Sequence, residues 1–127
     1  MTPIGSFYDK YVWLRPDKPN LDSLMSQVNM NIYNYMQGPS EFTITGTLRN
    51  YNSTSFLKNV KVPTLFTVGD VDEADPVTIK KHAAMVPGAK IVVIPNAAHM
   101  TSWDNPAAMT AAIRSHLLSA DSLASKK

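Results

Sequence analysis

Two uninterrupted apolar runs, VPTLFTV at 62–68 and KIVVIP at 90–95, flank one helical stretch, PVTIKKHAAMV at 76–86. No other feature limits the possible folds so strongly. Both runs have the length and the β-branched content of buried strands. Asp75 stands where an N-cap belongs, Pro76 suits a first helical position, and Pro87-Gly88 ends the helix. Strand–helix–strand at this spacing predicts a βαβ unit whose strands are parallel neighbours joined by a right-handed crossover. Strands this apolar are ordinarily covered on both faces. The fold class is therefore α/β.

The rest of the chain reads as helices and turns. FYDKYVWL at 7–14 predicts a short helix stopped before Pro16. Asn20 is placed to cap a helix from Leu21 to about Met36, with Gly38 just past its end. On that helix Leu21, Leu24, Met25, Val28, Ile32 and Tyr35 recur at helical spacing and predict one buried face. The segment 38–54 is turn-rich, with a brief extended piece expected at 42–45, and 55–60 suits a turn or two of helix. A last helix is expected from Asn105 or Pro106 to Ser119, with Met109, Ile113 and Leu117 on one face. The division that follows is a helical segment at 1–52, a βαβα part at 53–119 and a flexible, small and polar tail at 120–127.

Composition removes several function classes. The chain has 127 residues, enough for one domain with a modest core. It has no cysteine, so no disulfide, thiolate nucleophile or cysteine metal site is expected. Twelve basic against ten acidic residues give a net charge of +2, and the basic residues are scattered. No basic stripe with interleaved aromatics is present, so nucleic acid is not an expected partner. Mean hydropathy is −0.14, which suits a soluble protein. No apolar run approaches the roughly 20 residues of a membrane helix, and MTPIGSFYDKYVWL does not resemble a signal peptide. The cytoplasm is the expected location.

Chemistry is expected at one rim of the sheet. Loops after adjacent parallel strands emerge at the same carboxyl edge, where ligand sites of open α/β sheets lie. One loop carries Asp70, Asp72 and Glu73; the other carries His99. A carboxylate accepting from one ring nitrogen fixes the imidazole tautomer and frees the other nitrogen to act as a base. The plainer alternative for this pair is a loop histidine beside a capping or solvated acid. Asp70 and Asp75 are expected to serve the turn and the helix cap. The four acids lack the D-x-D-x-D-G loop pattern, so no metal is expected. Ser40, in MQGPSEF, is followed by Glu41-Phe42 without a second glycine and does not lie between a strand and a helix. It therefore fails the requirements of a hydrolase nucleophile turn.

Three stretches, MNIYNYMQGPSEFTITGTL, VPTLFTVGDVDEADP and VVIPNAAHMTSWDNP, together resemble the C-terminal part of proline iminopeptidases (prolyl aminopeptidases) of the α/β-hydrolase superfamily. The likeness runs from about Phe7 to Leu118 and covers less than half of such an enzyme. It implies a truncated α/β-hydrolase fold: two parallel strands in a βαβ unit with flanking helices, and a remnant of the helical cap at 1–52. It also implies that Asp72 and His99 stand at the acid and histidine positions of the catalytic triad. Tyr33, Glu41 and Glu73 match positions that grip the substrate's free α-amino group, and two carboxylates with a phenol suit an ammonium ion. The serine of the family lies in the half without a counterpart here. A hydrolase of esters, amides or N-terminally free peptides would then need another nucleophile: Ser102, Thr101, a partner's residue or water. No cofactor is implied. A non-catalytic binding or assembly module is the alternative. The open edge of 62–68 predicts association, as a homodimer or with a complementing N-terminal half.

Overall fold

The computed structural model describes residues 3–15, 20, 23 and 26–125. They form two compact units, Met1–Pro16 with Phe56–Lys127, and Asp17–Ser55. The first sixteen residues thus group with the α/β part rather than with the segment expected as a helical cap remnant.

Helix α1 spans Pro3–Tyr11, several residues earlier than the 7–14 expected. Proline suits its first position. Phe7 packs on Tyr11 with ring centroids 5.2 Å apart. The N–H groups of Val12 and Trp13 both donate to the Tyr8 carbonyl, at 3.0 and 3.1 Å, and close the helix. Beyond it the carbonyls of Tyr11 and Val12 accept from N–H groups of distant loops, which a continuing helix would forbid. Val12 and Trp13 are buried.

The α/β unit follows the predicted pattern. Strand β1 is Leu65–Gly69 and β2 is Lys90–Ile94. They pair in parallel, Leu65 opposite Lys90 through Gly69 opposite Ile94. Between them lies a ten-residue helix, Pro76–Met85. The Asp75 carboxylate caps it by accepting from Val77 N and Thr78 N, both at 3.2 Å. Val68 and Ile94, the largest fully buried side chains, form the centre of the core. The loop after β2 contains a short helix, Thr101–Asp104, where only loop is expected from the sequence. The last helix, Pro106–Ala124, runs five residues past the expected end, so most of the segment expected as a flexible tail is helical. Its expected apolar face is covered only in part: Met109 is half-buried, but Ile113 and Leu117 are exposed.

The sheet has two strands. Lys90 N donates to Thr64 O at 2.9 Å and Asp70 N to Ile94 O at 3.1 Å. Backbone groups at even positions therefore face each other, and alternation turns those of Leu65, Thr67, Ile91 and Val93 outward. Among the described residues no third strand meets either edge.

The second unit contains a described α-helix, Met30–Met36, shorter than the 21–36 expected, and a 3-10 turn, Thr47–Asn50. Residues 26–28 turn and bend, and Asn29 caps the helix by accepting from Ile32 N at 3.2 Å. Asn20 Oδ1 does accept from Ser23 N at 3.2 Å; Leu21, Leu24 and Met25 of the expected apolar face lie outside the described residues. Val28, Ile32 and Tyr35 of that face are exposed, Tyr35 to 72%. Gly38 follows the helix at φ +126°, a left-handed backbone suited to glycine. The extended piece expected at 42–45 reduces to one bridge, Ser40 with Thr43.

In chain order the α-helices are labelled α1 (Pro3–Tyr11), α2 (Met30–Met36), α3 (Pro76–Met85), α4 (Thr101–Asp104) and α5 (Pro106–Ala124).

Candidate active site

The loops after β1 and β2 meet at the carboxyl edge of the sheet, as the βαβ reading requires. Gly69 ends β1 with almost no space around its Cα. A Cβ there would lie 2.2 Å from the Ala97 carbonyl oxygen and 2.4 Å from that of Ala98. Only glycine permits this approach of strand to loop. Val71 N donates to Ala97 O at 3.2 Å across the same gap.

Asp72 is 8% exposed and all its hydrogen bonds converge on this junction. Its Oδ2 accepts from Gly69 N at 3.2 Å; its Oδ1 accepts from Ala74 N at 2.8 Å. His99 Nδ1 lies 3.0 Å from the same Oδ1. A carboxylate can only accept, so Nδ1 carries a proton, and in the neutral ring the lone pair is then on Nε2. The side chain of His99 is 49% exposed against 5% for Asp72. A buried acid thus orients a ring that reaches solvent. Glu73 Oε1 stands 3.8 Å from the same Nδ1 and adds negative charge beside it. A cavity of about 550 Å³ opens beside the acid loop, lined by Phe7, Tyr11, Asp70, Asp72, Glu73 and Pro76 among others.

Asp70 does more than turn the chain. Its carboxylate accepts from Asn96 N at 3.0 Å and Ala97 N at 3.1 Å, binding the histidine loop to the acid loop. It thereby holds Asn96 in a left-handed conformation, φ +52°. The N–H donors of Asn96 and then Ala97 keep the Asp70 carboxyl below its ordinary value of 3.8. A carboxyl with a depressed folded-state pKa stabilises the fold above its unfolded pKa, and that contribution is lost as pH falls through the folded value. The stability difference between the wild type and Asp70→Asn is therefore expected to stay constant above about pH 5 and to shrink as pH falls below the ordinary carboxyl value of 3.8. Urea midpoints measured across that range check it; an unchanged difference would show that this carboxylate does not tie the loops.

The other expected site residues are distributed as follows. Glu73 lies beside the Asp72–His99 pair. Tyr33 and Glu41 belong to the second compact unit, Tyr33 half-buried on α2 and Glu41 exposed in the turn after it. Ser102 is exposed on α4, and among the described residues it forms no hydrogen bond with His99. The hydroxyl of buried Thr101 donates to Met109 Sδ at 3.7 Å. Among the described residues no three His, Asp or Glu side chains group as a metal site. Sequence reasoning missed Asp104, Gly69 and the Tyr11 carbonyl. Gly69 alone carried a signal, as a glycine closing an apolar strand.

No protein-family model matches the chain. Curated proteins do. A proline iminopeptidase of Heyndrickxia coagulans is 42% identical over 78 residues, 61% of this chain and 27% of the relative. One from Thermoplasma volcanium is 33% identical over 104 residues, 80% of this chain and 35% of the relative. The chain thus spans about a third of the length of these relatives. Among solved structures, a proline iminopeptidase of Mycobacterium smegmatis superposes with a TM-score of 0.84 at 28% identity, over 94% of this chain and 41% of that one. VinJ superposes with a TM-score of 0.68 at 30% identity, over 96% of this chain and 40% of its own. In sequence and in fold this chain is similar to the C-terminal portion of a proline iminopeptidase, and it carries part of an α/β-hydrolase fold.

Proposed function

We propose that the chain supplies the acid and the base of a hydrolase site acting on small esters, amides or peptides with a free N-terminus. The contact between Asp72 Oδ1 and His99 Nδ1, at 3.0 Å with the acid buried and the ring half-exposed, carries this reading. Nε2 takes a proton from the attacking hydroxyl and returns it to the leaving group. Glu73, beside the Asp72–His99 pair, contributes negative charge for the substrate's α-ammonium. The substrate class is supported by the names of the relatives, proline iminopeptidases.

Among the described residues no serine or threonine hydroxyl is bonded to His99. The proposed working site is accordingly completed by association. A second copy, or a complementing N-terminal hydrolase portion, covers the outward backbone groups of Leu65 and Thr67 and brings the nucleophile. Open parallel edges this apolar favour such pairing. The cytoplasm is the proposed location. Among the described residues no helix is long and apolar enough to cross a membrane.

A serine-directed phosphonate, followed by digestion and mapping, tests this together with solution size. The expected result is an associated species that labels, with labelling and ester turnover falling by about 10³-fold or more in His99→Ala. A label on Ser102 would assign the nucleophile to α4. A monomer that neither labels nor turns over ester would favour the second reading, a binding module that keeps the fold without the reaction. The absence of a hydroxyl bonded to His99 among the described residues is the observation on its side.

A further inference from the structure

We infer that residues 11–15 form a strap that sets the spacing of the acid and histidine loops, with Asp104 as the positioning residue that latches it. The inference rests on the proposed role of the Asp72–His99 pair. Tyr11 O accepts from Glu73 N at 3.2 Å and from His99 N at 3.1 Å, so one carbonyl bridges the two loops. Val12 O accepts from Met100 N at 2.8 Å. Asp104 Oδ1 accepts from Leu14 N at 2.9 Å and Arg15 N at 3.1 Å, and its Oδ2 accepts from Ala98 N at 2.8 Å. Three consecutive backbone donors, at 98, 99 and 100, are therefore held by the strap or its latch.

The arrangement fixes more than the fold. A histidine ring is aimed by its own backbone and by whatever its nitrogens touch. Asp72 holds one end of His99, at Nδ1; the strap holds the other, at its main chain. The same Tyr11 carbonyl holds the residue after Asp72, so acid and base share one reference point. Displacing the strap alters the distance between them without breaking either strand. Burial of Val12 and Trp13 keeps it seated. Asp104 meets three N–H donors with two oxygens, and an amide cannot replace it. Asn in one orientation faces its NH₂ to Ala98 N–H; in the other it faces Leu14 and Arg15 N–H. Either way the latch fails at one end, and only the Tyr11 and Val12 carbonyls still tie the strap to the histidine loop.

The test is Asp104→Asn in the full chain, read by the imidazole nitrogen signals of His99 and by amide exchange. In the wild type the ring is expected as the Nδ1–H tautomer. In the variant the ring is expected to shift toward a tautomer mixture. The amides of Ala98, His99 and Met100 should exchange roughly tenfold or more faster, with α3 and α5 unchanged. A ring signal identical to wild type, with Ala98 protection lost, would overturn the positioning role and leave a structural tie. Should the variant not fold, exchange in the unmodified chain decides. The amides of Leu14, Arg15, Glu73, Ala98 and His99 should then open together; protection of 98 and 99 that outlasts that of 14 and 15 overturns the strap. A tautomer shift with labelling and turnover indifferent to His99→Ala would refute the hydrolase reading while the strap stands. An unshifted ring with His99-dependent turnover would do the reverse.

Discussion

Gly69→Ala is expected to cost roughly 2–4 kcal/mol of stability and to move the histidine loop. The added carbon would meet two backbone carbonyl oxygens, of Ala97 at 2.2 Å and Ala98 at 2.4 Å. Neither is the free end of a flexible side chain. Ala97 and Ala98 are fully buried, and their loop is bound to Asp70, Asp104 and the strap at once. Relief therefore comes only by shifting the loop as a unit or by bending the end of β1. A shifted loop carries His99 away from Asp72; a bent strand end removes Gly69 N from Asp72 Oδ2, now at 3.2 Å. For a small domain a loss of this size is a large share of the total. Urea unfolding measures the stability and the His99 ring signals measure the displacement. A stability change under about 0.5 kcal/mol would mean that the loop does not sit on this strand end as described.

The βαβ unit was legible in the sequence because its signals are local and agree. Apolar β-branched runs, an N-cap, a proline at the first helical position and a Pro-Gly stop all point the same way, and α3 begins where Asp75 and Pro76 place it. Parallel pairing then brought Asp72 and His99 to one rim without knowledge of any side chain. Elements whose ends depend on distant partners were misread. Helix α1 ends at Tyr11 because the Tyr11 and Val12 carbonyls are taken by the 73, 99 and 100 amides, which no local pattern reveals. The apolar periodicity at 21–36 suggested one long buried face, but residues 26–28 turn, Asn29 starts a new helix, and Ile32 and Tyr35 are exposed. Periodicity reports which face is apolar, not what covers it. In the same way Ile113 and Leu117 keep the right spacing on α5 and remain exposed. Asp104 was invisible because its role is to accept from backbone groups of Leu14, Arg15 and Ala98, and such groups leave no trace in residue type.

Asp72→Asn is expected to lower any His99-dependent turnover by about 10³–10⁴-fold while leaving the chain folded. Three donors converge on this carboxylate, Gly69 N–H, Ala74 N–H and the His99 ring. An asparagine has one acceptor oxygen and one NH₂ group in their place. With the oxygen toward Ala74 and His99, the NH₂ group opposes Gly69 N–H in a buried position. With the oxygen toward Gly69, the NH₂ group faces the ring, and His99 must accept through Nδ1 and carry its proton on Nε2. The second orientation disables the base outright; the first leaves a buried donor unpaired, at about 1–3 kcal/mol. Both remove the negative charge that balances the imidazolium formed in the reaction. Imidazole nitrogen signals distinguish the orientations, since only the second moves the proton to Nε2. The decisive comparison is the double variant. Acid and base that work as one unit give non-additive losses, so Asp72→Asn should add almost nothing in a His99→Ala background. Full additivity of the two losses would show that Asp72 supports the loop alone and has no part in directing the ring.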